Sequence, residues 1–149
     1  MAKVISLCGK ICAGKSTLAR RLRNELPAVV LGSDELTLAI PFEHDVVYPV
    51  VRDYMMRKAV EIVRAGANVV MDFGFWSRAD REHAKAFFAE AGVELEWHYV
   101  SVTDGEWKRN IAVRNEKVRS GKENGYFVDE GLMQKCLALF EEPQPGELN

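Results

Sequence analysis

Nine consecutive residues near the start of the chain carry the residue types that bind a polyphosphate. They match the pattern G-x-x-x-x-G-K-[S/T]. The two glycines let the backbone approach phosphate oxygens closely, and Lys15 brings positive charge to the outer phosphates. Ser16 opens the following helix, where its hydroxyl can hold Mg²⁺ while the positive helix end faces the anion. We expect ATP and Mg²⁺ to bind here, with phosphate contacts from Gly9, Lys10, Ile11, Cys12, Ala13, Gly14, Lys15, Ser16 and Thr17.

The residues on both sides of this motif argue against a chance match. A glycine-rich turn that merely joins a strand to a helix can fit such a short pattern. Here the apolar run from Val4 to Cys8 precedes the loop, and Leu18, Leu22 and Leu26 recur every fourth residue after it. This is the strand and amphipathic helix that the phosphate-binding motif requires.

Two aspartates are candidates for the remaining chemistry of phosphoryl transfer. Asp34 follows a predicted strand, at the sheet edge where ligands of open α/β folds bind. We expect it to act as base or orienter for an acceptor hydroxyl, and the alternative is a helix cap formed with Ser33 and Glu35. Asp72 ends another apolar strand, where it can contact the Mg²⁺ shell. Its alternative role is to cap a turn.

Residues after Asp72 are candidates for the acceptor side. Phe75 and Trp76 can wall an acceptor pocket, although aromatic residues after a strand also serve as core. Arg78 can point at the acceptor or at the γ-phosphate, or it can be a solvated helix residue. We predict these three as substrate residues.

A predicted helix late in the chain carries the densest basic cluster. Arg109 and Arg114 are our candidates for stabilising the triphosphate, with Arg114 preferred. Five residues separate them, so both reach one site only if the helix bends near Arg114. A charged helix face is the alternative. The cluster precedes the glycine-rich stretch 120–128, which we interpret as a mobile connection, and residues of about 104–128 are predicted to form a lid.

These candidates require an alternation of strands and helices. The patterns predict strands at 3–8, 28–31, 67–72 and 94–101, and helices at 15–25, 51–66, 77–92, from 103 onward and at about 130–140. Ser77 with Asp80, and Thr103 with Glu106, have the spacing of helix capping boxes. The expected fold is a three-layer α/β P-loop NTPase domain, resembling nucleoside kinases, over residues 1–149. Its parallel sheet has four or five strands, and it carries the helical lid.

Composition narrows the class of protein. A chain of 149 residues has room for one core, and its formal charge of −2 favours no long nucleic acid as partner, although a local basic groove stays open. There is no leader-like segment and no stretch long enough to span a bilayer, so we expect a cytoplasmic protein with no membrane partner. Neither the three cysteines nor the three histidines have metal-ligand spacing, and Cys8 and Cys136 are predicted core residues.

With these positions in hand, the sequence resembles the small P-loop kinases that include the polynucleotide 5′-hydroxyl kinase domain, the zeta toxins and chloramphenicol phosphotransferase. The resemblance rests on Gly9 to Thr17, Ser33-Asp34, Asp72 with the residues after it, and Trp107 through Asn115. It implies that Asp34 activates the acceptor hydroxyl and that Arg109 or Arg114 binds phosphates. The stretch Asp72-Phe73-Gly74-Phe75-Trp76 departs from the polynucleotide kinase pattern.

The expected function is therefore transfer of the γ-phosphoryl group of ATP to a hydroxyl of a nucleoside, sugar or antibiotic. The alternatives are a polynucleotide 5′-hydroxyl kinase and a nucleotide-hydrolysing switch. The chain has no N-K-x-D motif, which disfavours a GTPase, and no water-orienting glutamine or glutamate beside Asp72. The sequence predicts no oligomeric state.

Overall fold

Strands and helices alternate along the chain, as the sequence predicts. The structure is a computed structural model that describes residues 1–148. Over this range its elements are β1 (Val4–Cys8), α1 (Lys15–Glu25), β2 (Ala28–Gly32), α2 (Ser33–Thr37), α3 (His44–Arg64), β3 (Asn68–Asp72), α4 (Arg78–Glu90), β4 (Leu95–Tyr99), α5 (Asp104–Arg119) and α6 (Glu130–Leu139).

The four strands form one parallel sheet in the order β2-β3-β1-β4. Val4 of β1 lies opposite Val69 of β3 and Leu95 of β4, and Gly32 at the end of β2 lies opposite Asp72 at the end of β3. Because all strands run the same way, the loops after β1, β2 and β3 leave the sheet at one edge. Of the predicted four or five strands, four are present in residues 1–148.

Helices cover both faces of the sheet, which gives the predicted three-layer α/β fold. Side chains alternate along β1, so Val4 and Cys8 pack toward α3 and α4, while Ile5 and Leu7 pack toward α1. All four are fully buried. A strand buried on both faces explains why the opening run of the sequence is continuously apolar rather than alternating.

Local capping signals begin two of the helices where the sequence places them. The Ser77 hydroxyl accepts a hydrogen bond from the Asp80 amide at 3.1 Å, before α4. The Thr103 hydroxyl accepts one from the Glu106 amide at 3.2 Å, before α5. Each bond satisfies an amide that has no partner within the first helical turn, so these predictions are confirmed.

Elsewhere the structure departs from the predicted elements. Helix α3 begins at His44 rather than at residue 51 and runs through Pro49. Burial of Val47 favours the helical path despite the missing proline amide. The stretch 120–128, predicted as a mobile connection, folds back on α5, where the Asn115 side chain bonds both the amide and the carbonyl of Val128.

Two remaining features of the fold are the cysteines and the apolar character of the helices. Cys8 and Cys136 are buried, as predicted for core residues, and neither they nor Cys12 form a disulfide in residues 1–148. Among the helices of that range, none combines the length and apolar character that crossing a bilayer requires.

Candidate active site

The loop between β1 and α1 has the backbone geometry that its glycines require. Gly14 has φ +104°, a left-handed conformation that residues with a side chain rarely adopt. A Cβ atom at Gly9 would lie 2.6 Å from the Val100 carbonyl oxygen. Any side chain at either position would strain or displace the loop, so the loop keeps its shape only with both glycines.

Several amides of this loop are free to bind an anion. In residues 1–148, the amides of Lys10, Cys12 and Gly14 donate to no backbone acceptor, whereas the Ala13 amide donates to the Lys10 carbonyl at 3.2 Å. Helix α1 begins directly after them, so its positive end faces the same space. Free amides in front of a helix N-terminus form a phosphate-binding cradle.

Lys15 holds its ammonium group at this cradle. The Nζ atom donates to the carbonyl oxygens of Gly9 at 3.0 Å and Lys10 at 2.6 Å. An ammonium group has three donors, so one remains for a phosphate oxygen. Burial lowers the pKa of Lys15, while the charges of Asp72 and Asp34 act in the opposite direction. Approach of an anion would therefore favour the charged amine further.

Ser16 and Asp72 meet at the end of β3. The Ser16 hydroxyl donates to Asp72 Oδ2 at 2.8 Å, although the two residues are 56 positions apart. A hydroxyl and a carboxylate are hard oxygen ligands, and Mg²⁺ completes its shell with phosphate oxygens and water rather than with a full protein cage. The pair fits Mg²⁺.

Asp34 lies in the first turn of α2, close to both groups. The helix cap position is Gly32 and involves no side-chain bond, which contradicts the alternative that Asp34 is a helix cap. Asp34 keeps contact with solvent on one side. Burial on its other sides raises its pKa, the charge of Asp72 raises it further, and the charges of Arg114 and Lys15 lower it. Asp34 therefore lies within electrostatic range of Asp72, Arg114 and Lys15.

The structure separates the two arginines of α5. The helix is continuous through both positions, without the bend that a shared site requires. Arg114 is half-buried, its Nε atom lies 3.4 Å from Glu123 Oε2, and its charge acts on Asp34. Arg109 is exposed and forms no ion pair in the part of the chain described. Of the two arginines, Arg114 is the one whose charge acts on Asp34.

Helix α5 also fixes the phosphate loop in place through residues that sequence reasoning missed. The Trp107 indole Nε1 donates to the Ile11 carbonyl at 2.6 Å, and the Asn110 amide group donates to the Cys12 carbonyl at 3.0 Å. Lys10 Nζ lies 4.5 Å from the centre of the Trp107 ring. The predicted lid segment therefore rests directly on the loop. The sequence signal was the spacing of 107, 110 and 114 on one helix face.

An open cavity of about 830 Å³ begins at the phosphate loop and extends between α2, α3, α4 and α6. Lys15, Asp34 and Asp72 line one end of it, and Trp76 lines its wall as predicted. At the far wall lie Tyr48 and other residues of α3 that the sequence analysis missed because it began this helix too late. The cavity connects the nucleotide site to a second binding space.

Of the other two predicted substrate residues, Phe75 lines the cavity but is almost fully buried, and Arg78 lies outside the cavity lining. The Phe75 side chain is 1% exposed, and its ring packs against Phe73 and Trp97 with centroid separations of 5.4 and 5.3 Å. Its ring therefore belongs to the core, the alternative that the sequence left open. Arg78 is exposed at the start of α4 and does not line the cavity in the described residues. Its solvated alternative matches this position.

A buried arginine holds the loop after β3. Arg81 Nη1 donates to the carbonyls of Phe75 at 2.8 Å and Trp76 at 3.1 Å, and its Nε pairs with Glu147 at 2.5 Å. Arg81 is fully buried, and Phe75 has φ +46°. The Gly74 carbonyl of the same loop accepts the Gly9 amide at 3.0 Å. No local pattern signals this pair, because 66 residues separate its members.

Comparison with known proteins agrees with this geometry. The AAA domain family matches residues 4–143 of the chain. No curated protein matches the sequence.

Solved structures share the fold at low sequence identity. Chaetomium thermophilum Kti12 in complex with ADP-AlF3 has a TM-score of 0.73 and 16% identity, over 95% of this chain and 82% of that one. A gluconokinase from Sinorhizobium meliloti 1021 has a TM-score of 0.64 and 17% identity, over 97% of this chain and 78% of that one. The Mycobacterium tuberculosis APS kinase CysC, in complex with AMPPNP and APS, has a TM-score of 0.63 and 18% identity, over 96% of this chain and 84% of that one. With a family match over nearly its whole length and this shared fold, the chain belongs to the AAA domain family of P-loop proteins.

Proposed function

We propose that the protein transfers the γ-phosphoryl group of ATP to a hydroxyl group of a small molecule. One observation carries this proposal: a carboxylate stands where the phosphate loop opens into a second binding space. Asp34 and Lys15 line the same cavity, and each acts on the pKa of the other. Its volume of about 830 Å³ falls within the roughly 300–1,000 Å³ of small-molecule sites.

The nucleotide end of the cavity would bind the triphosphate. The free amides of the loop and the start of α1 would receive phosphate oxygens, and Lys15 would donate to the outer phosphates. Ser16 and Asp72 would hold Mg²⁺, which when bound neutralises charge on the β- and γ-phosphates. Arg114 approaches from α5 and would stabilise charge on the migrating group.

Asp34 would act on the acceptor. Its carboxylate accepts the proton of the acceptor hydroxyl as the hydroxyl oxygen bonds to the γ-phosphorus and the bond to the β–γ bridging oxygen breaks, releasing ADP. A raised pKa makes Asp34 a stronger base than an ordinary aspartate. The products are ADP and a phosphate monoester, and the proton remains on Asp34 until solvent takes it.

The comparisons support a kinase without identifying its acceptor. The gluconokinase and the APS kinase share this fold, and their names give two different acceptor types. A fourth solved structure, that of the Pnkp1/Rnl/Hen1 complex, aligns over 72% of this chain and 38% of that one, at a TM-score of 0.63 and 16% identity. The formal charge of −2 weighs against a polynucleotide acceptor. Kti12 shares the fold as well, so hydrolysis without an acceptor is the competing function.

The test is transfer of label from [γ-³²P]ATP to a panel of nucleosides, sugars, antibiotics and short oligonucleotides. We expect an alcohol to stimulate ADP formation and to carry the label, and Asp34→Asn to bind ATP normally while losing transfer. Asp104→Asn removes an exposed aspartate at the start of α5 and should keep both properties. Hydrolysis that no alcohol stimulates, or equal loss of ATP binding and transfer in Asp34→Asn, would contradict the proposal.

A further inference from the structure

We infer that the acceptor is an alcohol without an anionic group, and that an amine-bearing alcohol is favoured over an uncharged one. This inference rests on the proposed phosphotransfer and concerns the part of the cavity beyond the phosphate loop. It follows from how charges are paired there, from which carboxylates have no partner, and from the aromatic side chains of the wall.

Both fixed cations in this part of the cavity already have carboxylate partners. Arg52 Nη1 lies 2.5 Å from Asp80 Oδ1, and Arg52 Nε lies 2.9 Å from Asp53 Oδ1. Lys135 Nζ contacts both oxygens of Asp45, at 2.9 and 2.8 Å. A phosphate or carboxylate on the acceptor would have to displace Asp80 from the largely buried Arg52 pair and leave that carboxylate unpaired, which opposes binding.

The Arg52 pair is part of a network that resists such rearrangement. The Tyr48 hydroxyl donates to Asp80 Oδ2 at 2.8 Å, and His83 Nε2 lies 2.9 Å from Asp53 Oδ1. Arg52 and Asp80 are both largely buried, with side-chain exposures of 16% and 10%. The network joins α3 to α4, so moving Arg52 toward an anion would break contacts between two helices.

Apart from Asp72 at the nucleotide end, three carboxylates that line the cavity form no ion pair in the described residues. They are Asp34, Glu35 and Glu141. Since Arg52 and Lys135 are already neutralised, these groups leave the acceptor end with a negative potential. Such a potential attracts an ammonium group and repels an anion, and the effect is strongest where the walls exclude water.

Aromatic side chains add a second preference for cations. Tyr48, Trp76 and Tyr126 line the cavity, and His44 lies between the two tyrosines with centroid separations of 5.7 Å from Tyr48 and 5.8 Å from Tyr126. Aromatic faces attract ammonium groups and stack on sugar or base rings. They offer no positive charge to an anion. Charge pairing and aromatic lining therefore favour the same acceptor class.

The first arm of the test measures transfer with acceptors that differ in charge on a matched skeleton. Glucosamine, glucose and gluconate form one set, and adenosine with adenosine 3′-monophosphate forms another. With [γ-³²P]ATP, we expect label in the uncharged or cationic members at least ~10-fold above their anionic counterparts. Preferred labelling of gluconate or adenosine 3′-monophosphate would overturn the inference. No label in any member, with ATP bound, would count against the proposed function rather than against the charge preference, which the second arm decides.

The second arm measures binding without turnover. The full chain is saturated with AMPPNP and Mg²⁺, and paramagnetic broadening of the Trp76 indole signal is recorded with 4-amino-TEMPO and with 4-carboxy-TEMPO. We expect the amine probe to broaden the signal more. Equal or greater broadening by the carboxylate probe would overturn the inference.

Comparing two variants separates the effect of the cavity's own charged groups on probe binding from the effect of the bound nucleotide's charge. Asp80→Asn removes one partner of Arg52, so the ratio of amine to carboxylate broadening should fall, whereas the distant Asp104→Asn should leave it unchanged. The nucleotide charge is the same in both variants. A ratio that does not change in Asp80→Asn would contradict charge pairing as the source of selectivity.

Discussion

The two ends of the cavity differ in how their charged groups are paired. At the nucleotide end, free amides and the ammonium group of Lys15 face open space, and consecutive residues supply them. At the acceptor end, Arg52 and Lys135 are held by carboxylates from other parts of the chain. At the nucleotide end the positive charge has no carboxylate partner, whereas at the proposed acceptor end the positive charges are paired with carboxylates. One continuous cavity can therefore keep a second anion out of the acceptor position while it binds the first.

The loop after β3 borders both ends of the cavity. Removing the ion pair that holds this loop should therefore have the largest effect on stability. Glu147→Ala would leave the Arg81 guanidinium buried without a counter-charge, and we expect a loss of about 3–5 kcal/mol in the free energy of unfolding. Urea denaturation measures it. Glu142→Ala, an exposed change in the same tail, should have little effect. A loss below about 1 kcal/mol in Glu147→Ala would show that the two carbonyl bonds of Arg81 suffice.

Loss of the Lys15 ammonium group should impair the nucleotide end of the cavity and leave the acceptor end intact. Lys15→Ala removes the donor that remains for phosphate oxygens, and we expect turnover to fall about 10²–10³-fold or more, with ATP binding strongly weakened. Calorimetric titration with ATP and Mg²⁺ and a steady-state assay measure both quantities. Lys108→Ala, on the exposed side of α5, is the matched control. Normal ATP affinity and turnover in Lys15→Ala would refute the assignment of this loop.

A smaller change should loosen the loop without removing any phosphate-binding group. Trp107→Phe keeps most of the buried ring but deletes the indole donor to the Ile11 carbonyl. We expect a loss of about 1 kcal/mol in stability and weaker ATP binding, because the loop amides become less rigidly placed. Urea denaturation and ATP titration would detect both effects. Unchanged ATP affinity together with lowered stability would mean that α5 supports the fold but not the nucleotide site.

The smallest predicted effect concerns pH and the aspartate between the two ends. Folding raises the pKa of Asp34 above its ordinary 3.8, mainly through burial and then through Asp72. Between the two values the folded protein holds a proton that the unfolded chain has released, so this group's contribution to stability falls as pH rises through that window. Asp34→Asn should therefore match wild type at low pH and exceed its Tm above the window. A variant less stable than wild type at neutral pH would contradict this.

Features encoded by neighbouring residues could be predicted from the sequence. The strand-loop-helix unit around Lys15, the alternation of elements and the caps at Ser77 and Thr103 each depend on residues within one turn or strand, and the structure has them where predicted. The positions of Asp34 and Asp72 follow from parallel pairing of β2 with β3, which sets Gly32, two residues before Asp34, opposite Asp72. Their catalytic roles stay predictions.

Features that depend on tertiary contacts could not be predicted in the same way. Helix α3 continues through Pro49 because its buried face outweighs the proline signal, and that burial exists only in the folded chain. The Arg81–Glu147 pair and the Lys135–Asp45 pair join residues 66 and 90 positions apart. The sequence favours Arg114 over Arg109, but only the packing of Trp107 shows which face of α5 meets the loop. The proposed acceptor end was therefore the part of the cavity that the sequence predicted least.

The most direct test of the account is a crystal structure of the protein with AMPPNP and Mg²⁺. We predict that the β- and γ-phosphates accept hydrogen bonds from the loop amides and from Lys15 Nζ, that Ser16 lies in the Mg²⁺ shell, and that the γ-phosphate faces the cavity beside Asp34. A nucleotide bound elsewhere, or a γ-phosphate directed away from Asp34 and the cavity, would contradict phosphoryl transfer at this site.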